Sequence, residues 1–183
     1  MNAFALNASL VLYPSEVNWV PDNTETLIKV MQETGLVGDH LNKTENSFSV
    51  GKKFLDHISF MGCSPNIKFD NEDSDAKFTF IRLTITENII GLTGKHSFAP
   101  HCPECKKPEK NWRTLLIDNQ ITCSNCQQTS EAWLFNWRKS AGFARCFIEI
   151  TDIYPKEAIP QTALLKFLEN KFKITWAYFY YHA

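Results

Sequence analysis

Cys102-Pro103-Glu104-Cys105 and Cys123-Ser124-Asn125-Cys126 are two Cys-x-x-Cys pairs with seventeen residues between them. That spacing is the one read as a four-cysteine zinc site. A Cys-x-x-Cys turn sets both sulfurs on one side of a tight knuckle. Two knuckles face to face close a tetrahedral shell with Zn–S bonds of about 2.3 Å. Pro103 narrows the backbone freedom of the first knuckle, and Ser124 and Asn125 are turn formers suited to the second. Cys102, Cys105, Cys123 and Cys126 are therefore expected to bind one structural Zn2+ per chain as thiolates.

Other chemistries fit this pattern less well. Two disulfides need an oxidising compartment, for which the sequence carries no signal. A redox dithiol uses a lone Cys-x-x-Cys near a βαβ unit, not a second pair at this distance. Iron suits the same four-thiolate shell, and zinc is preferred to it. His101 abuts Cys102 and is expected to stay outside the ligand set, because four cysteines suffice.

Between the pairs, Trp112 to Ile117 reads as a strand, Asp118-Asn119 as a turn, and Gln120 to Thr122 as the return strand. Ala132 to Phe135 is a further strand candidate. From His101 to Trp137 the chain resembles the zinc-ribbon module, two knuckles on a small antiparallel sheet. The four cysteines match the ligand positions of that module. Lys106 and Gln127 stand where it often carries glycine, a residue that eases positive φ. Ribbons occur in many kinds of protein, so the resemblance implies a metal and a local fold and names no function.

The 183 residues can hold one sizeable core plus a small module. Apolar residues at 44% and aromatics at 13% fit a folded chain. A net charge of −1 gives no global attraction to nucleic acid or anionic lipid. The charge is uneven: residues 1–50 carry two Lys/Arg against six Asp/Glu, residues 101–150 seven against five. Met1 to Ser9 lacks a basic n-region and reads as a strand, not a signal peptide. No segment approaches eighteen uninterrupted apolar residues, so no transmembrane helix and no membrane partner are expected. A cytoplasmic location follows from these readings, with Cys63 and Cys146 left as free thiols.

Phe4, Leu6, Ala8, Leu10 and Leu12 alternate as a strand does. Asp22 with Glu25 reads as a capping box for a helix through Leu27, Ile28 and Met31 that stops at Gly35. Gly38 to Ser49 is polar and reads as loop. Val50, Phe54, Leu55, Ile58 and Met61 predict a second helix closed by Gly62, and Cys63 to Asn66 a turn. Asp70, Glu72, Asp73 and Asp75 lack EF-hand offsets and read as a solvated acidic loop. Lys77 to Glu87 predicts a strand, as does Phe143 to Asp152 with Ala144, Cys146, Ile148 and Ile150 inward. A helix with Leu164, Leu165 and Leu168 and an aromatic strand from Ile174 to Tyr181 follow. Without the ribbon this is the order of an α+β, ferredoxin-like split βαβ core. Its parts would be 1–98 and 138–183, with the ribbon inserted as 99–137.

Lys106, Lys107, Lys110, Trp112 and Arg113 form one basic segment with an aromatic, and Trp137, Arg138, Lys139, Phe143 and Arg145 form another. Cations with stacking aromatics are how single strands are held. Lys106, Lys107, Trp112, Arg113, Arg138 and Lys139 are thus nucleic-acid candidates, against the plainer reading of packing aromatics and solubilising charges. His40, His57, His96, His101 and His182 show no spaced ligand pair, and His57 reads as solvent-facing beside Asp56. Glu149 and Asp152 fall on opposite faces of one strand and make poor catalytic partners. With no phosphate loop or nucleophile elbow, no catalytic residue is named.

The leading expectation is a non-catalytic zinc-binding adaptor acting on another protein or on itself, with the C-terminal strand as a pairing edge. The alternatives are RNA or single-stranded nucleic-acid binding through the basic faces of the ribbon, and an enzyme with its site between core and ribbon.

Overall fold

The computed structural model of the chain describes residues 8–41, 46–62 and 78–183. The fold is mixed α/β and mostly sheet. In chain order the elements are β1 (Ala8–Pro14), α1 (Thr24–Thr34), β2 (Val37–His40), β3 (Ser47–Val50), α2 (Phe54–His57), β4 (Ile58–Phe60) and β5 (Ile81–Thr93). Next come α3 (Trp112–Leu115), β6 (Leu116–Ile117), β7 (Gln120–Thr122), β8 (Thr129–Glu131) and a 3-10 turn at Ala132–Leu134. The chain continues through β9 (Ala141–Thr151), β10 (Ala158–Pro160), α4 (Thr162–Phe172) and β11 (Trp176–His182). Six strands pair antiparallel in the order β11-β1-β9-β5-β3-β2. Two small sheets, β10-β4 and β6-β7-β8, stand apart from it.

β9 is the spine. Every one of its residues is buried except the half-buried Arg145. One face, with Cys146, Ile148 and Ile150, packs with Leu27, Met31, Leu164 and Leu168 of α1 and α4. Val11, Ala144, Phe147 and Phe179 form a separate apolar cluster. Ala144 thus leaves the face expected for it. Opposite it the β5 register shifts between Ile85 and Ile90, and the Arg145 N–H leaves the ladder for Val17 O. Such an irregularity bends a strand and re-aims its side chains. Burial in this core pushes the Cys146 thiol up to about 12, so it stays protonated.

Buried Glu149 pairs with Arg82 at 2.7 Å and accepts from Thr84 Oγ1 at 3.0 Å. Removing one partner of such a pair strands the other charge. Glu149→Ala should therefore cost about 3 kcal/mol in urea unfolding. Glu149→Gln, which keeps the Thr84 bond, should cost less.

Several local expectations are corrected. The helix cap is Asn23, not Asp22: its Oδ1 accepts from Glu25 N–H at 2.7 Å. Gly35 does end α1, in the left-handed region at φ 78°. Within the segment read as a polar loop, β2 and β3 pair antiparallel, because they complete the edge beyond β5. The helix read from Val50 to Met61 is a single turn, α2, followed by β4. Phe54 and Ile58 are buried at helical spacing, but residues 58–60 pair with β10, a strand a hundred residues later. Met61, assigned to the apolar face, is 66% exposed. His57 is half-buried, with Nε2 2.9 Å from Thr34 O, and not simply solvent-facing. β5 starts four residues later than read and runs to Thr93, while Ile81 and Leu83 do face the core. The readings for Phe4 and Leu6, for Cys63 to Asn66 and for the acidic stretch from Asp70 to Asp75 lie outside the described residues. Among the described residues no helix is long and apolar enough to cross a membrane.

Candidate metal centre

Each knuckle closes with the same pair of backbone bonds. Lys106 N–H donates to Cys102 O (3.1 Å) and Cys102 N–H to Lys107 O (2.9 Å). Gln127 N–H donates to Cys123 O (2.9 Å) and Cys123 N–H to Gln128 O (2.9 Å). The ring needs positive φ after the second cysteine, and Lys106 and Gln127 both supply it at 60° without being glycine. Elsewhere that conformation costs an L-residue roughly 1–2 kcal/mol.

Between the knuckles the expected hairpin is present in altered form. Asp118 and Asn119 turn with φ of 49° and 61°, the pattern of a two-residue primed turn, and β6 pairs β7. Trp112 to Leu115 is not strand but a helical turn, held by Thr114 and Leu115 N–H on Asn111 O. Ala132 to Leu134 is likewise a 3-10 turn, with the third strand, β8, just before it. Ala132 N–H donates to Asn119 O, and Ala132 O accepts from the Trp137 indole at 2.7 Å. Those two bonds lock a turn where periodicity alone suggests extension.

The hairpin brings the four sulfurs together. Cys102 Sγ lies 3.7 Å from Cys126 Sγ, and Cys105 Sγ lies 3.7 Å from Cys123 Sγ. All four sulfurs lie within 4.8 Å of one another. A tetrahedron with metal–sulfur bonds of about 2.3 Å has edges of about 3.8 Å, so the group has the size to hold a metal ion. Disulfide bonds, at about 2.05 Å, are absent from it. His101 is not part of the group; its backbone bridges Pro108 and Asn136. Cys102 and Cys123 are buried, Cys105 and Cys126 half-buried. Burial opposes ionisation of Cys123, but N–H groups of Cys126 and Asn125 and the neighbouring thiols bring it down to about 7. Cys126 accepts from Gln128 N–H, yet burial and the other three sulfurs push it up to about 11. Four thiolates this close need a cation among them.

One contributor was not legible beforehand. Glu109, an acidic residue inside the first basic segment, is fully buried. Its carboxylate accepts from Asn111 N–H (3.0 Å), Ser124 N–H (2.7 Å) and Ser124 Oγ (2.6 Å). Burial pushes this carboxyl up, but those donors prevail and hold it below the usual range. Glu109 thus ties the segment after the first knuckle to the turn of the second. Glu109→Ala leaves buried donors unpaired and should cost about 2 kcal/mol of module stability, read by thermal unfolding of the metal-loaded protein.

The six nucleic-acid candidates are divided. Lys106 and Lys107 are exposed on the first knuckle, where the Lys106 ammonium donates to Pro103 O. Trp112 is buried edge-to-face on Trp137 at 4.9 Å and is not a free stacking surface. Arg113 covers the Trp112 ring at 4.2 Å and donates to Gly94 O and Lys95 O, tying the module to the end of β5. Arg138 and Lys139 come together at a cleft of about 590 Å³ between the module and the sheet. Arg138 lies over Phe98 at 4.7 Å, and Lys139 Nζ donates to Tyr178 Oη at 2.7 Å. The cleft lining includes the buried Trp137, Phe143 and Trp176 and the half-buried Tyr13, Trp133 and Tyr178, with no Asp, Glu, His or Cys among the described residues. The chain matches no protein-family model, no curated protein and no solved structure.

Proposed function

We propose that this chain is a non-catalytic binding protein in which one structural zinc holds a ribbon-like module against the sheet. The observation that carries it is the sulfur group, four thiols within 4.8 Å with two 3.7 Å edges. A closed four-cysteine shell keeps no coordination position for water or substrate. Among the described residues the cleft lining has no carboxylate, histidine or thiol, which supports binding over catalysis. We read the central strands β11-β1-β9-β5 as a split βαβ core, with β2 and β3 added beside β5. Elemental analysis of protein purified without chelator tests the metal. The expected result is one zinc per chain; reduced thiols with zinc near zero would overturn it, and iron in its place would correct the ion.

For the partner, the C-terminal edge offers less than the sequence promised. Tyr180 N–H already donates to Lys139 O at 2.9 Å, so β11 is closed at that position. A protein partner is supported instead by the exposed Ile117 and Leu134 of the module. A second reading, single-stranded nucleic acid, is favoured by the cleft that gathers Arg138 and Lys139 beside aromatic rings.

A further inference from the structure

We infer that the cleft between the module and the sheet binds an unpaired nucleotide of a single strand, its base against Trp133 and Tyr178 and its phosphate at Arg138 and Lys139. This rests on the binding reading above and narrows the nucleic-acid site from the basic faces at large to one cleft.

Two observations carry it. The first is charge: the exposed Arg138 and Lys139 line the cleft with no acidic side chain among the described lining residues to oppose them. An anion entering there meets attraction alone. The second is the wall chemistry. Trp133 and Tyr178 are half-buried in the lining, and every nucleobase has a flat face that stacks on such rings. The Lys139 ammonium lies over one face of the Tyr178 ring, 3.8 Å from its centre, so a base that stacks on that face displaces the cation to its own phosphate. A volume of about 590 Å³ takes one or two nucleotides and excludes a duplex, whose bases are stacked and paired. An acidic peptide matches the charge but brings no planar face for the rings.

The test is fluorescence anisotropy of the full, zinc-loaded chain with a labelled twelve-nucleotide oligouridylate at several salt concentrations. Zinc content is measured on the same sample. Binding should weaken with salt, and Trp fluorescence should be quenched on titration. Arg138→Ala with Lys139→Ala should weaken binding at least tenfold and lower the salt slope by about 0.7, the value for one phosphate contact on a single strand. Lys106→Ala with Lys107→Ala should change affinity less than twofold. Lys139→Glu alone should abolish binding, and Lys139→Arg should preserve it, which separates charge from folding. A fully zinc-loaded protein that binds no oligouridylate overturns the inference and leaves the metal reading intact. Equal loss in the two double variants, displacement by polyglutamate as readily as by unlabelled oligouridylate, or uridine monophosphate binding as tightly as the strand would also overturn it. Zinc-free protein that still binds would sink the metal reading instead.

Discussion

Cys123→Ser should abolish metal binding and unfold the module while the six-stranded sheet stays folded. Cys123 is fully buried, and its sulfur is one of four within 4.8 Å, a group that holds no fifth ligand among the described residues. The module is built on two- and three-residue strands and a 3-10 turn. Segments below about 40 residues rarely fold without metal or disulfides. Structural zinc contributes on the order of 10 kcal/mol in peptides of this kind, so its loss exceeds anything the local hydrogen bonds can offset. The sheet has its own apolar cluster from Leu10 to Tyr180 and should keep its far-ultraviolet signal. Near-ultraviolet dichroism should fall as Trp112 and Trp137 lose their packing. Chelation of the native protein should give the same state. Alkylation mapped by mass spectrometry should then label Cys102, Cys105, Cys123 and Cys126 and spare Cys146, whose thiol is buried and pushed up to about 12. Metal binding displaces thiol protons, so lowering pH should release the ion, and raising it should restore binding. Unchanged melting after complete metal removal would contradict this account.

Trp137→Ala should cost about 4 kcal/mol, the scale for truncating a buried tryptophan. The effect is large because this side chain joins module to sheet. Its ring lies 4.9 Å from Trp112 on the module and 5.4 Å from Phe143 on β9. Its N–H satisfies Ala132 O in a buried setting. Trp137→Phe keeps most of the contact and loses that bond, so about 1 kcal/mol separates it from the native protein beyond lost volume. Trp137 also lines the cleft. Trp137→Ala should therefore weaken ligand binding as well, while zinc content stays near one per chain because no sulfur has been touched. Denaturant unfolding followed at separate near- and far-ultraviolet wavelengths distinguishes loosening of the module from loss of the sheet. Equal shifts in both signals would mean that the two parts unfold as one unit.

The four-cysteine group was open to a reading of residues alone, because Cys-x-x-Cys fixes two sulfurs within one turn and asks only that the second pair come close. The α1 and α4 helices and the β9 and β11 strands were legible for a similar reason. Their apolar periods are long enough to outweigh local accidents, as with Leu27, Val30 and Met31 on one face of α1. Where the pattern was short, tertiary pairing decided. Ile58 and Met61 continue a helical spacing from Phe54, but Ala158 to Pro160 offers residues 58–60 a strand to pair with, and extended backbone wins. Trp112 and Ala132 look strand-like in sequence and sit in turns, because Asn111 O accepts from Thr114 and Leu115 N–H, and Ala132 donates to Asn119 O and accepts from the Trp137 indole. Glu109 carries no local sign of burial; only the arrival of Ser124, fifteen residues on, turns a surface charge into the tie between knuckles. The cleft is the furthest from the sequence, since Tyr13, Trp133, Arg138 and Tyr178 share it only after β1, β9 and β11 have paired. Local chemistry is written in neighbouring residues, whereas a shared surface depends on which distant segments the packing of the sheet brings side by side.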